Sequence, residues 1–191
     1  RLCSSAASDV YKRQEVFSTT DSIKQSLSKE MICNKTIGFV PTMGALHEGH
    51  LALVKSAKKN CDIVVCSIFI NPTQFNNAID LEKYPVTIKK DIKLLEENFC
   101  NILFLPKTIE MYPNGLITMQ YDLNGIDKLF EGRKRPGHFD GVCTIVHRLF
   151  SVIQPNIAYF GEKDLQQVAI IKQLVNHLNL DIQNKTINTV R

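Results

Sequence analysis

Two apolar rhythms alternate along the chain. "TIGFV" (36–40) and "DIVVCSIFI" (62–70) are short apolar runs rich in β-branched residues, the second almost unbroken. Such runs suit strands buried on both faces, as in parallel sheets. Between them, "HLALVKSAKKN" places Leu51, Val54 and Ala57 on one helical face and its lysines elsewhere. Strand, helix and strand within about 35 residues form a βαβ unit, whose crossover is expected to be right-handed.

The rhythm repeats downstream. "TIKKDIKLLEENF" (87–99) predicts a helix with Ile88, Ile92, Leu95 and Phe99 on one face, and "NILFLP" (101–106) a strand. "GVCTIVHRLFSVI" (141–153) sets Val142, Ile145, Val146, Leu149 and Ile153 in one stripe, and "NIAYF" (156–160) follows as a strand. "DLQQVAIIKQLVNHL" (164–178) predicts a helix with Leu165, Val168, Ile171, Val175 and Leu178 inward. Asp164 sits at its N-terminus, where negative charge suits the helix dipole. "KTINTV" (185–190) closes the series as a strand. The expected fold class is α/β: a Rossmann-like, doubly wound parallel sheet with flanking helices.

Composition narrows the function classes. At 44% hydrophobic and 22% charged residues, the 191-residue chain has a globular balance. The net charge of +4 is spread along the chain, so no nucleic-acid partner is expected. No apolar run approaches the roughly 20 residues that span a bilayer, and no signal-like apolar core follows the N-terminus. No membrane association and a cytoplasmic location are therefore expected. Cys3, Cys33, Cys61, Cys66, Cys100 and Cys143 form no CxxC pair. They are expected to be reduced, mostly buried thiols and not metal ligands. The opening "RLCSSAASDVYKRQ" lacks both a Met and a period. Residues 1–14 are accordingly read as a non-native leader.

Ligands of open α/β sheets bind outside the carboxyl ends of the strands, so chemistry is sought in the segments that follow strands. "VPTMGALHEGH" (40–50) runs from the first strand into a helix, whose N-terminus is a natural anion site. His47 and His50 stand there, able to give hydrogen bonds or charge to a phosphate. The HxGH pattern resembles the signature of the nucleotidyltransferase superfamily that includes the class I aminoacyl-tRNA synthetases; neither GxGxxG nor a P-loop is present. "NPTQF" (71–75) offers Gln74 as donor and acceptor, or is an ordinary turn. "EGRKRPGHFDG" (131–141) reads as a structured loop with solvated charges, in which His138 is either a ligand-side or a helix-cap residue. "FGEKDLQQ" (160–167) brings Gly161, Lys163, Asp164 and Gln167 to a strand end. Gly161 permits close backbone approach, Lys163 can meet an anion, and Asp164 can accept from ribose hydroxyls. Together the four segments sketch a cleft for an ATP-like anion and a small polar acid.

In this order and spacing, PTMGALHEGH, SIFINPTQF, EGRKRPGHFDGV and FGEKDLQQ closely resemble the pantothenate synthetase (pantoate–β-alanine ligase) family, over residues 15–191. The resemblance implies an ATP- and pantoate-binding domain over 15–191, truncated at its C-terminal end before a serine- and arginine-containing loop and a smaller second domain. It implies ATP-dependent ligation of pantoate and β-alanine through pantoyl adenylate, with ATP as substrate, Mg²⁺ as companion, and a cytoplasmic homodimer. By the same resemblance His50, His47 and Lys163 are the catalytic candidates. ATP binding falls to Met43, Gly44, His47, Gly49, His50, Gly161, Glu162, Lys163, Asp164 and Val190. Pantoate and β-alanine fall to Gln74, Gln167 and Met43, and no protein metal ligand is assigned. The alternatives are another HxGH adenylyltransferase, which would need Arg or Lys beside the site for a phosphorylated acceptor, and an ATP-binding fragment without activity. An RNA-binding role for residues 133–135 lacks interleaved aromatics.

Overall fold

The computed structural model describes residues 14–188. Residues 1–13 of the expected leader, and Val190, lie outside the described residues. In chain order the elements are β1 (Glu15–Phe17), α1 (Thr20–Ile32), β2 (Ile37–Thr42), α2 (Glu48–Asn60), β3 (Ile63–Ile68), α3 (Ala78–Glu82) and α4 (Ile88–Glu97). They continue with β4 (Ile102–Phe104), α5 (Thr108–Met111), α6 (Phe130–Lys134), α7 (His138–Ile153), β5 (Ile157–Gly161), α8 (Leu165–His177) and β6 (Gln183–Ile187). Short 3₁₀ turns lie at Pro72–Gln74, Ile126–Lys128 and Glu162–Asp164.

The strands form one parallel sheet in the order β1-β4-β3-β2-β5-β6. Side chains alternate between two apolar layers. Ile63 and Val65 of β3 join Ile23, Leu27 and the inner stripes of α7 and α8. Val64, Cys66 and Ile68 join Leu53, Val54 and Ala57 of α2 and Leu95 of α4. This is the doubly wound α/β architecture expected from the sequence. Cys61, Cys66, Cys100 and Cys143 are free and buried, and burial pushes the thiols of Cys100 and Cys143 up to about 12.

Two expected inward residues face solvent. Phe99 is 67% exposed because α4 stops at Glu97 and the chain turns through Phe99 at φ 58°. Cys100 N–H reaches back to the Leu95 carbonyl at 3.0 Å, closing the helix and turning the Phe99 ring outward. Leu165 is 71% exposed; as the first residue of α8 it precedes the turn at which the apolar stripe meets the sheet. Residues 15–35, where the apolar pattern predicts no element, supply β1 as an edge strand beside β4 and α1, which packs on the sheet.

Strand order reverses between β2 and β5, and the sheet splits there. The β2–β3 ladder runs to Thr42↔Ile68, whereas β2–β5 pairing covers only Gly38↔Ile157 and Phe39↔Ala158. The carbonyls of Thr36 and Thr42 bond toward β3, and Ile37 bonds to Asn156 on the β5 side. Alternation then turns Pro41 toward β5, where it has no N–H to extend the ladder. The strands part at that proline and open a crevice at the topological switch point.

Candidate active site

The crevice holds two lobes of about 180 Å³ each. Singly they are smaller than the ~300–1,000 Å³ of a usual small-molecule pocket; together they reach its lower end. Pro41, His50, Phe160, Asp164 and Gln167 line both lobes. The first adds Met43, Asn71, Gln74 and Tyr84, with an apolar wall from α7. The second adds His47, Gly49, Gly161, Lys163 and Asn188.

The histidines belong to the entry of α2. His47 is its N-cap, and its Nδ1 accepts from Gly49 N–H at 3.0 Å. His50 Nδ1 accepts from His47 N–H at 3.3 Å, completing a capping box built from two imidazoles. In a neutral ring an accepting Nδ1 leaves the proton on Nε2, so both residues present Nε2–H as donors. The rings lie 4.1 Å apart between centroids. His50 is driven down to about 4, first by burial, then by His47 and Lys163, against the opposing pull of Asp91. It therefore enters the site as a neutral hydrogen-bond donor at neutral pH, not as a charge. Gly49 is dictated by His47: a Cβ there would stand 2.8 Å from His47 Cε1.

Gly44, at φ 85°, starts the turn into α2. The turn is held from behind by the buried carboxylate of Asp91, which accepts from Ala45 N–H at 3.0 Å and Leu46 N–H at 2.9 Å. Gly44 thus shapes the turn under the site and lines neither lobe.

Gln74 enters the first lobe from the 3₁₀ turn after β3. Its Oε1 accepts from Asn71 Nδ2 at 3.1 Å, and its Nε2 points at the Met43 sulfur at 3.0 Å. A thioether is a weak acceptor, so that N–H₂ is readily yielded to a ligand oxygen. Asn71 is buried; its Nδ2 also donates to the Gly141 carbonyl at 3.1 Å, and its Oδ1 accepts from Tyr112 OH at 2.7 Å and Thr73 Oγ1 at 3.0 Å. His138 is neither ligand-side nor a cap: it is buried at the start of α7, its Nδ1 2.7 Å from the Gln74 carbonyl oxygen, and burial pushes its imidazole down. Arg135 pairs with Glu131 at 2.8 Å and donates to the same carbonyl at 3.3 Å.

At the end of β5, Gly161 has an ordinary φ of −79° and open space where a Cβ would stand. Neither turn geometry nor packing requires glycine there. Lys163 lines the second lobe and forms no salt bridge among the described residues. Asp164 caps α8 without a side-chain bond, leaving its carboxylate to the cleft. Glu162 lines neither lobe; in the amide orientation that satisfies both groups, Asn188 donates to its carboxylate at 2.8 and 3.0 Å. Among the described residues, no three His, Cys, Asp or Glu side chains converge as a metal cluster. The crevice thus gathers Met43, His47, Gly49, His50, Gln74, Gly161, Lys163, Asp164 and Gln167. Asn71 and Asp91 are supporting residues that the sequence reading did not single out for the site. The Asn of "NPTQF" could have signalled the first; Asp91 is one acid among the lysines of a helix and carries no signal.

A sequence profile described as pantoate–β-alanine ligase matches residues 15–191. The chain is 49% identical over 161 residues to pantothenate synthetase of Cytophaga hutchinsonii, covering 84% of this chain and 56% of that protein. It is 53% identical over 159 residues to that of Buchnera aphidicola subsp. Schizaphis graminum, covering 83% and 56%. The fold superposes on a pantothenate synthetase from Thermus thermophilus with TM-score 0.86 at 41% identity, covering 93% of this chain and 63% of that one. A pantoate–β-alanine ligase from Francisella tularensis, solved with "beta-gamma ATP" and β-alanine, gives TM-score 0.88 at 41% identity over 93% of this chain and 68% of that one. The chain thus spans a little over half the length of these curated relatives.

Proposed function

The chain belongs to the pantoate–β-alanine ligase family, and from that premise we propose that the whole protein joins pantoate to β-alanine at the expense of ATP. The observation that carries the proposal is the place of His50, at the seam of two lobes with different linings. The lobe with Gln74, Gln167 and Met43 suits a small hydroxy acid: two amides serve its polar groups and the α7 wall its carbon skeleton. No Arg or Lys among the described residues lines that lobe, which argues against a phosphorylated acceptor. The lobe with His47, Lys163 and the positive dipole end of α2 suits a triphosphate. The open space beside Gly161 suits close passage of the nucleotide.

At the seam, the pantoate carboxylate attacks the α-phosphorus. An acyl–phosphate bond forms, the bond to the β-phosphate breaks, and pyrophosphate leaves. The carboxylate needs no base, so the protein's work is positioning and charge stabilisation. His50 Nε2–H would donate to the α-phosphate oxygens, with His47 beside it and Lys163 adding charge. Mg²⁺ would accompany the triphosphate, and Asp164 is the cleft carboxylate that would help hold it. Bound there, the ion would neutralise phosphate charge. In the second step the β-alanine amine attacks the acyl carbon and sheds a proton, the bond to AMP breaks, and pantothenate forms. The homodimer and cytoplasmic location implied by the family resemblance belong to the same proposal. Among the described residues no helix is long and apolar enough to cross a membrane.

The test is pyrophosphate release by the whole protein with ATP, Mg²⁺ and pantoate, with and without β-alanine. Pantoate-dependent release, raised by β-alanine and accompanied by AMP, is expected. Release that ignores pantoate, or none, would overturn the proposal.

A further inference from the structure

The turn from β2 into α2 is built as an anion cradle, yet its anion is internal. Gly44 and Ala45 lie consecutively in the left-handed region, at φ 85° and 50°. The turn they make sets the consecutive N–H groups of Ala45 and Leu46 toward one point, as in the turn-type backbone nests that bind anions. The point is occupied by Asp91, which reaches across from α4 and is fully buried. Its Oδ2 accepts from Ala45 N–H at 3.0 Å and its Oδ1 from Leu46 N–H at 2.9 Å, while Thr87 Oγ1 lies 3.1 Å from each oxygen. A Cβ on Gly44 would approach Asp91 Oδ2 to 3.2 Å, so the glycine also makes room for the carboxylate.

The residue after Leu46 is His47, the N-cap of α2, and His50 takes its Nδ1 bond from the His47 backbone. The orientation of both imidazoles therefore depends on where the turn leaves residue 47. Asp91 lines neither lobe, and within its own helix its carboxylate meets only the hydroxyl of the N-cap Thr87. Its two bonds to backbone N–H groups go to a turn 45 and 46 residues away.

We infer that Asp91 is a positioning residue for the reaction. By filling the nest at residues 44–46 it fixes the turn, holds His47 and His50 with Nε2–H toward the cleft, and leaves an incoming phosphate to meet the imidazoles and not the loop amides. The inference rests on reading the α2 N-terminus as the phosphate site, but its first readout needs no substrate.

The test is ¹⁵N NMR of the imidazoles, with calorimetric ATP titration, in the wild type, Asp91→Asn and Thr87→Val. In Asp91→Asn, an amide NH₂ replaces one acceptor opposite two N–H donors. His50 should lose its single Nε2–H tautomer in favour of a mixture, and ATP affinity should fall at least tenfold. Thr87→Val keeps both backbone bonds and should retain the wild-type tautomer, with ATP affinity within about threefold. Should Asp91→Asn fail to unfold cooperatively, Gly44→Ala, whose Cβ would press on Ile68 Cγ2 at 3.0 Å and Asp91 Oδ2 at 3.2 Å at a strained φ, disturbs the same turn and should give the same tautomer mixture. A wild-type tautomer and ATP affinity in a folded Asp91→Asn or Gly44→Ala protein would overturn the inference. An inactive wild type with tautomers shifted in Asp91→Asn would leave the positioning role standing and refute the ligase reading alone.

Discussion

The imidazole of His47 occupies the space that any side chain on residue 49 would need: a Cβ built on Gly49 falls 2.8 Å from His47 Cε1 and 3.0 Å from Nδ1. The glycine of the HxGH segment therefore serves a neighbouring ring, since α2 itself would accept alanine.

This separates activity from stability. Gly49→Ala should leave thermal stability nearly unchanged, because alanine's gain of about 1 kcal/mol over glycine within a helix offsets the loss of the His47 cap bond, worth about 1 kcal/mol. It should also swing the His47 ring away and lower kcat/KM for ATP by roughly tenfold, the worth of about one hydrogen bond. Parallel melting curves and initial-rate kinetics on the whole protein check both; equal losses in stability and kcat/KM would refute the assignment.

His50→Ala should lower turnover by ~10²–10³-fold, the usual cost of removing one donor to developing charge, while changing pantoate affinity much less. His50→Gln, which keeps an N–H donor, should retain part of the lost rate. Unchanged turnover in His50→Ala would remove it from the reaction.

Stability should fall as acid is added, beginning near neutrality. His50 is pushed down to about 4 mainly by burial, so between that value and the ordinary 6.5 the unfolded chain binds the extra proton. Its contribution is complete above about pH 6.5 and lost as pH falls through that window, on the order of 1–2 kcal/mol between pH 7 and 5 after allowance for partial exposure. His138 and His147, also pushed down by burial, act with the same sign. Urea titrations at the two pH values should show a smaller drop for His50→Gln than for wild type; equal drops would exclude His50 as a contributor.

Asn71→Asp should be costly in spite of its shape. It turns a buried donor into an acceptor facing Gln74 Oε1 and the Gly141 carbonyl, each 3.1 Å away. A loss of about 2–4 kcal/mol in unfolding free energy is expected, with a raised KM for pantoate as Gln74 is released. A variant with a raised melting temperature and normal pantoate KM would contradict this network.

Much of the molecule is local and was therefore legible. β-Branched runs announce β2 and β3, a continuous stripe announces α7, and polar segments directly after strands hold Gln74, His50 and Lys163, which line the crevice. The 3.6-residue stripe failed only where it met an element end, at Phe99 and Leu165, because periodicity carries no information about where a helix stops or first touches the sheet.

Strand order, the parting of β2 and β5 at Pro41, and the two supporting residues are not local. In "TIKKDIKLLEENF", Asp91 reads as one more solvated charge; only the fold brings a turn 45 residues away to its carboxylate. Asn71 reads as part of an ordinary turn, and becomes an anchor only when Tyr112 and Gly141 arrive around it. Residue type and spacing decided which side chains could do the chemistry. Tertiary packing decided which of them point, in one tautomer and one orientation, into a shared cleft, because hydrogen bonds across distant segments are satisfied only after the sheet has assembled.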